Sequence, residues 1–231
     1  MNRRIAIRPA GASLRVDLRL VAVTAALAAG LLLAVAASVA LGEFALPLAD
    51  VVRSLVGAGD RATSYIVLEL RLPRALTGLL VGAAFGLAGA AFQNLARNPL
   101  VAPDVVGVSG GASLAAVTLF VTGGSSAAAS VPLAAAGGAV LAGIALYALA
   151  WRGGLHGYRL VLIGIGLAAF TNAGVSYALT KGRIFEVSQA YVWLVGSLNG
   201  RGWDQVWPLA IGLAALAPLM LVLARRSRNR K

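Results

Sequence analysis

Apolar residues in this chain come in blocks of about 20, a length that suits a lipid bilayer. Hydrophobic residues make up 59% of the 231 residues and charged residues only 12%, and the mean hydropathy is +0.85. A helix of roughly 20 apolar residues crosses the ~30 Å hydrocarbon core, whereas a soluble domain needs no such blocks. Because the blocks are continuous rather than alternating, they argue against barrel strands. The sequence predicts an all-α, polytopic membrane helix bundle.

Six blocks are predicted to be transmembrane helices. Their approximate bounds are 20–41, 72–93, 104–122, 131–151, 159–180 and 204–224. The first block has no convincing cleavage site and further spans follow it, so we expect a retained helix rather than a signal peptide. The chain is thus divided into a cytoplasmic basic N-terminal segment (1–19), a transmembrane domain (20–224) and a cytoplasmic basic tail (225–231).

Loop charge predicts the orientation of the helices. With the N-terminus inside, most of the 20 Lys and Arg residues fall on the cytoplasmic side, and most of the eight acidic residues fall outside. This asymmetry follows the positive-inside rule, so both termini are expected in the cytoplasm (N-in, C-in). The net charge of +12 does not indicate a nucleic-acid partner, because Arg residues stand at block edges and tails, as membrane anchors do. Membrane lipid is the expected partner.

The sequence offers no catalytic or metal-binding constellation. Cysteine is absent, which excludes disulfides and Cys-ligated metal sites. The single histidine, His156, has neither a cysteine nor a carboxylate close by and is interpreted as a turn residue. The chain contains no Walker-type Gly-Lys-Ser/Thr sequence, and a single His in a turn offers no Ser/His/Asp set. We therefore predict no catalytic residue, no metal and no cofactor, and do not expect an enzyme.

Glycines mark two candidate helix contacts. Gly78, Gly82 and Gly86 recur every four residues along the second block, where another backbone could approach closely. Gly107 and Gly110 give the third block a similar small-residue face. A phosphate-cradling loop is the alternative for the second group, but no Lys-Ser/Thr follows it. Helix packing is the expected role of both groups.

Polar residues gather at the inner end of the second block, ahead of Pro99 and Pro103. They are Gln93, Asn94, Arg97 and Asn98. Proline prevents a smooth helix through this turn, and irregular backbone at a membrane must be buried in protein or line water. Two interpretations stay open: the side chains cap a cytoplasmic turn, or they border the inner mouth of a pathway. Asn172 in the fifth block is similar, with interhelical hydrogen bonding as its favoured role.

Four segments of the chain resemble a known family. They are RLPRALTGLLVGAAFGLAGAAFQ (Arg71–Gln93), RNPLVAPDVVGVSGGA (Arg97–Ala112), RLVLIGIGLA (Arg159–Ala168) and YVWLVGSLNGRGW (Tyr191–Trp203). In their order and spacing they resemble the FecCD family, the permease subunits of ATP-binding-cassette (ABC) importers for iron-siderophore complexes, haem and vitamin B12. The resemblance covers nearly all of the chain from about residue 20 onward.

The resemblance implies a ten-helix permease in the plasma membrane and a set of partners. These are a second permease subunit in a homo- or heterodimer, ABC ATPase subunits that hydrolyse ATP, and an extracytoplasmic substrate-binding protein. It implies that Arg71, with Arg74 one turn further on, meets acidic groups of the binding protein; interfacial anchoring is the alternative for both. It also implies that the second and fifth helices line the pathway. The candidate pathway residues are Gln93, Asn94, Asn98 and Asn172.

One departure from the family concerns the end of the chain. A family member continues past the sixth helix into an ATPase-coupling segment with a Leu-Gly-Glu motif and then into further helices, whereas this sequence ends at ARRSRNRK. We therefore expect a truncated permease subunit of an importer for an iron-siderophore or related metal chelate. The alternative is a non-transporting membrane protein that pairs with a full-length permease or a binding protein. The residues do not identify the chelate.

Overall fold

The computed structural model describes residues 4–7, 14–42, 44, 46–96, 98–123, 129–154 and 156–228. Its architecture is helical, as predicted, apart from a short antiparallel strand pair near the N-terminus. The strands are β1 (Arg4–Ile7) and β2 (Leu14–Asp17), and Arg4 stands opposite Asp17. Strand β2 alternates apolar and charged residues, the period of two that suits a strand. The hairpin adds to the predicted helical bundle without replacing any of its spans.

The helices follow in chain order along the described ranges. They are α1 (Leu18–Ala40), α2 (Leu48–Leu55), α3 (Arg61–Tyr65), a π-helical segment (Ile66–Arg71), α4 (Leu72–Ala96), α5 (Val108–Gly123), α6 (Val131–Ala150), α7 (Gly157–Lys181), α8 (Ile184–Val195) and α9 (Trp203–Arg228). Helices α1, α4, α5, α6, α7 and α9 coincide with the six predicted spans. The division into basic end segments and a transmembrane domain stays a prediction, and residues 1–3, 8–13 and 229–231 lie outside the described part.

Four helical stretches are long and apolar enough to cross a membrane by length and composition. They are Leu18–Ala40, Arg61–Ala96, Val131–Ala150 and Gly157–Lys181. Helices α5 and α8 are apolar but shorter, with 16 and 12 residues. The prediction of six spans is therefore correct in the position of the helices and approximate as a count of membrane crossings.

The second predicted span begins earlier than the sequence suggested. Helical backbone starts at Arg61 rather than near residue 72 and continues for 36 residues to Ala96. Asp60 caps the start, because its side chain accepts a hydrogen bond from the backbone N–H of Ala62 at 3.3 Å. Glu69 and Arg71 made this stretch too polar to be counted as a span, yet they do not interrupt the helix.

The chain forms two compact units. The first comprises Met1–Leu80 with Asn199–Ala210, and the second comprises Val81–Leu198 with Ile211–Lys231. The core of the first unit joins the end of α1 to α2, the π-helical segment and the start of α4. Its buried residues are Val39, Val51, Val67 and Ala75, and Val35, Leu46 and Leu68 pack against them.

Helix α5 is central in the second unit and contacts α6, α7 and α8. One buried cluster lies around the end of α5 and includes Val117, Phe120, Val131 and Ala190. Another lies near the C-terminal end of α6 and includes Val101, Val106, Leu146 and Leu160. Glycine permits the closest approach: a Cβ at Gly111 of α5 would lie 2.6 Å from the carbonyl oxygen of Gly138 of α6. Small residues thus hold these helices together, as in other membrane bundles.

Candidate functional site

Arg71 ends the π-helical segment, and its side chain reaches the C-terminus of α1. Its Nη1 donates hydrogen bonds to the carbonyl oxygens of Val39 at 3.0 Å and Ala40 at 2.9 Å, and its Nη2 donates to that of Phe44. The last carbonyls of a helix lack partners within it and carry partial negative charge. Helix α1 has no basic residue in its own last turn. The half-buried Arg71 therefore caps α1 from a distant point in the sequence.

Gly42 leaves the space that this arrangement requires. A Cβ at residue 42 would lie 2.7 Å from Nη2 and 2.9 Å from Cζ of Arg71. Real Cβ atoms essentially never approach other heavy atoms so closely, so any side chain at residue 42 would displace the guanidinium. The position of the Arg71 guanidinium at the end of α1 therefore depends on the absence of a side chain at Gly42.

Arg74 lies one turn further along the helix in a different environment. Its side chain is exposed, and it makes no hydrogen bond or ion pair with any residue that the structure describes. Pro73, between the two arginines, is fully buried. The structure thus separates a pair that the sequence treated together: Arg71 is engaged within the chain, and Arg74 is available. The docking role expected for both stays a prediction.

The π-helical segment that carries Arg71 receives a second distant contact. The indole Nε1 of Trp203 donates a hydrogen bond to the carbonyl oxygen of Leu68 at 3.0 Å. Trp203 opens α9, belongs to the same compact unit as Leu68, and lies 135 residues from it along the chain. No local pattern in the sequence indicates this contact, because the two residues lie 135 positions apart.

Among the polar residues predicted at the inner end of the second span, Asn98 lies at a turn after α4, whereas Gln93 and Asn94 lie within α4. The side-chain oxygen of Asn98 accepts a hydrogen bond from the backbone N–H of Leu100 at 3.0 Å, an Asx-type arrangement. Asn94 donates to the carbonyl of Ala90 in its own helix at 2.7 Å and is exposed, as is Gln93. Arg97 lies outside the described residues. Asn98 therefore acts as a turn cap, while the pathway role of these residues remains a prediction.

Asn172 is exposed on α7 and makes no hydrogen bond with another described residue. The interhelical hydrogen bond favoured for it from the sequence is therefore absent within the described chain. The neighbouring Thr171 is the buried polar group instead, and its hydroxyl donates to carbonyls of its own helix, those of Leu167 at 2.9 Å and Ala168 at 3.0 Å. The sequence alone did not show which of these two adjacent residues is buried. Adjacent residues on a helix point about 100° apart, so the answer depends on how the helix is oriented towards its neighbours.

The two glycine groups differ in their surroundings. Gly107 has a φ of +76°, and a Cβ there would lie 2.6 Å from the backbone nitrogen of Ala168. A Cβ at Gly110 would overlap the hydroxyl of Thr171. Around Gly82 and Gly86, by contrast, such a Cβ would have no described heavy atom within 4 Å apart from its chain neighbours and the nearby backbone of its own helix. The packing predicted for Gly82 and Gly86 is thus not made by the described part of this chain and stays a prediction for another partner.

Within the described ranges, no group of three or more His, Asp and Glu residues is arranged to hold a metal ion. The features that could interact with a ligand or a partner are instead an exposed arginine, a capped helix end, and polar or small residues exposed on α4 and α7. The fold and these features together define a multi-pass helical membrane protein.

Comparison with known proteins identifies the family. The sequence pattern of the FecCD transport family matches residues 30–228, and the chain belongs to this family. The achromobactin transport system permease protein CbrC of Dickeya dadantii (strain 3937) is 37% identical over 193 residues, which cover 83% of this chain and 55% of that protein. The ferric enterobactin transport system permease protein FepD of Escherichia coli K12 is 40% identical over 213 residues, with coverage of 89% and 63%.

A solved structure supports the fold. An inward-facing metal-chelate type ABC transporter superposes with a TM-score of 0.70 and 23% identity, covering 86% of this chain and 62% of that chain. The resemblance inferred from the four sequence segments is thereby confirmed. The chain spans about half the length of the curated relatives it matches. We conclude that it is a multi-pass protein of the cytoplasmic membrane in the FecCD transport family.

Proposed function

We propose that this chain acts as a permease subunit of an ABC importer for an iron-siderophore or a related metal chelate. The family match across residues 30–228 carries the proposal. The names of CbrC and FepD assign those proteins to achromobactin and ferric enterobactin transport, which makes an iron chelate the favoured class of substrate here. ATP hydrolysis would take place in separate ATPase subunits.

The exposed face of α7 supports a pathway role. Ala169, Asn172 and Ser176 follow one another at i, i+3 and i+7, so they share one side of the helix, and all three are exposed. An amide side chain exposed to lipid would lose its hydrogen bonds at a cost of several kcal/mol on apolar transfer scales, roughly 4–8 kcal/mol. This face is therefore better suited to a water-filled pathway or a protein partner than to hydrocarbon.

The matching feature on α4 is a stripe of small and polar residues. Gly82, Gly86 and Gln93 lie on one side of that helix by their spacing, and all three are exposed. We propose that this stripe and the α7 face border the substrate pathway or contact a second permease subunit. Asn94 and Asn98 would lie at its inner end.

Docking of a substrate-binding protein is the third part of the proposal. The exposed guanidinium of Arg74 is free to meet an acidic group, whereas that of Arg71 is already bonded to α1. Arg74 is therefore the stronger candidate for direct contact, and Arg71 would support the surface around it. Charge complementarity of this kind would guide association more than it would raise affinity.

The cysteine-free sequence permits a direct test of the pathway. Single cysteines at Asn172 and Ser176 would be treated with a charged, membrane-impermeant thiol reagent in the assembled transporter. The matched control is Phe170→Cys, because Phe170 is 71% exposed on another side of the same helix. We expect reaction at 172 and 176, protection by the ferric chelate, and no reaction at 170. Equal inertness of all three positions would contradict the pathway.

Transport itself would be measured as uptake of radioactive iron by cells that lack the native permease. The chain would be co-expressed with the binding protein, the ATPase and a second permease subunit of the same system. Chelate-dependent uptake would support the proposal. Binding to a full-length permease without uptake would favour the alternative of a non-transporting interaction protein.

A further inference from the structure

The π-helical segment Ile66–Arg71 leaves one backbone carbonyl without a backbone donor. Its hydrogen bonds run from residue i to residue i−5, and the last of them joins the N–H of Leu72 to the carbonyl of Val67. The next donor in this pattern would be Pro73, opposite the carbonyl of Leu68. Proline has no N–H, so it cannot make this bond. A carbonyl inside a membrane protein needs another partner.

Trp203 supplies that partner. Its indole N–H, a donor with no competing acceptor function, lies 3.0 Å from the carbonyl oxygen of Leu68. The ring is partly buried and lies beside that of Trp207, with centroids 6.2 Å apart. The contact therefore replaces the hydrogen bond that Pro73 cannot make, and the donor lies 135 residues away in the sequence.

The π register decides which side chains face inward. Changing the register by one residue would rotate the flanking helix by about 100°. In the observed register Val67 is completely buried and Leu70 is 51% exposed. The same register directs Arg71 to the carbonyls of Val39 and Ala40 and leaves Arg74 exposed.

We propose that Trp203 is a positioning residue: its hydrogen bond to Leu68 holds the π-helical register of Ile66–Arg71, and this register directs Arg71 onto the end of α1 while Arg74 faces outward. The inference stands on the contacts within this chain and does not depend on transport. The hydrogen bond joins the last residue of the segment Tyr191–Trp203 to Leu68, three residues before the segment Arg71–Gln93.

The first test compares Trp203→Phe with Trp207→Phe in the purified full chain. Trp203→Phe keeps a smaller aromatic ring and removes the N–H donor. Trp207, which is 61% exposed on the same helix, provides the matched control, because Trp207→Phe makes the same reduction in ring size. Each variant would carry one probe cysteine, at Val67 or at Leu70, and the rate of thiol labelling would be measured. We expect Trp203→Phe to raise the rate at 67 and lower it at 70 several-fold, and Trp207→Phe to change neither. Unchanged rates in Trp203→Phe would overturn the proposal.

A second test separates the hydrogen bond from simple packing of the ring. Pro73→Ala restores a backbone N–H, after which the carbonyl of Leu68 no longer depends on the indole. We expect Trp203→Phe to lower the melting temperature clearly when residue 73 is Pro. In the Pro73→Ala background we expect a much smaller decrease. An equal loss in both backgrounds would show that only the ring matters and would refute the positioning role. If Trp203→Phe alone fails to fold, recovery of folded protein by the double variant decides the question in the same way.

Discussion

Arg71 and Ala40 are joined by a 2.9 Å hydrogen bond from the guanidinium Nη1 to the backbone carbonyl, across 31 residues of sequence. The bond places a permanent cation at the negative end of α1. It also connects the first long helix to the residue that immediately precedes α4. A residue expected from the sequence to face a partner protein thus has an internal function that is visible in the structure.

Replacement of Arg71 by Gln should destabilise the first compact unit. The variant loses charge-assisted hydrogen bonds to carbonyls at the end of α1, and bonds of this kind contribute about 1.5–3 kcal/mol when buried and less at a half-exposed site. The expected result is a lower melting temperature in detergent. Arg74→Gln is the control, because exposed Arg74 makes no bond within the described chain and should change stability by less than about 0.5 kcal/mol.

Replacement of Gly42 by Ala should act through Arg71. The new Cβ would lie 2.7 Å from Nη2, so the guanidinium must move and its bonds to α1 weaken. We therefore expect Gly42→Ala to lower the melting temperature when Arg71 is present. In an Arg71→Gln background it should have little further effect. This non-additivity is the measurement, made as a double-mutant cycle. Gly30→Ala in α1 is the control, because nothing lies within 4 Å of a Cβ there. Additive losses would mean that residue 42 and Arg71 act independently.

The sequence predicted the long helices well because their signal is local. Blocks of apolar residues long enough for a bilayer determine α1, α6 and α7 without reference to any partner. The start of the second span was misplaced for the same reason. Glu69 and Arg71 lower the local hydropathy, while the continuity of the helix depends on the Asp60 cap and on contacts with α1 that no window along the sequence contains.

The site was less predictable because its contacts join distant residues. Arg71 carried a visible charge, but its partners at the end of α1 depend on how the chain returns to that point. The hydrogen bond between Trp203 and Leu68 left no local signal. In the sequence, Gly82 and Gly86 of α4 looked equivalent to the glycines of α5. Of these two groups, only the α5 glycines face a neighbouring helix in the described chain.

The two glycine faces should respond differently to a large side chain. Gly110→Leu would drive a branched side chain into Thr171, and overpacking typically costs about 1–3 kcal/mol, so folded yield and melting temperature should fall. Gly82→Leu should leave both unchanged in the isolated chain, where nothing lies within 4 Å. A loss of assembly or uptake with Gly82→Leu would then show that a partner helix or the pathway covers this face. Destabilisation of the isolated chain by Gly82→Leu would contradict the structure.

Arg74 should contribute to docking of the binding protein if the proposed function is correct. Arg74→Glu turns an attraction to an acidic partner group into a repulsion, so association should weaken and its dependence on salt should decrease. Arg74→Lys keeps the charge and should retain most of the binding. The measurement is the association rate of the purified binding protein with the reconstituted permease at low and high ionic strength. Because Arg74 makes no bond within the described chain, its variants should fold normally, and a lost interaction can be assigned to the interface. Identical association rates for Arg74→Glu and the unaltered chain at low salt would exclude a direct contact and leave only membrane anchoring for this residue.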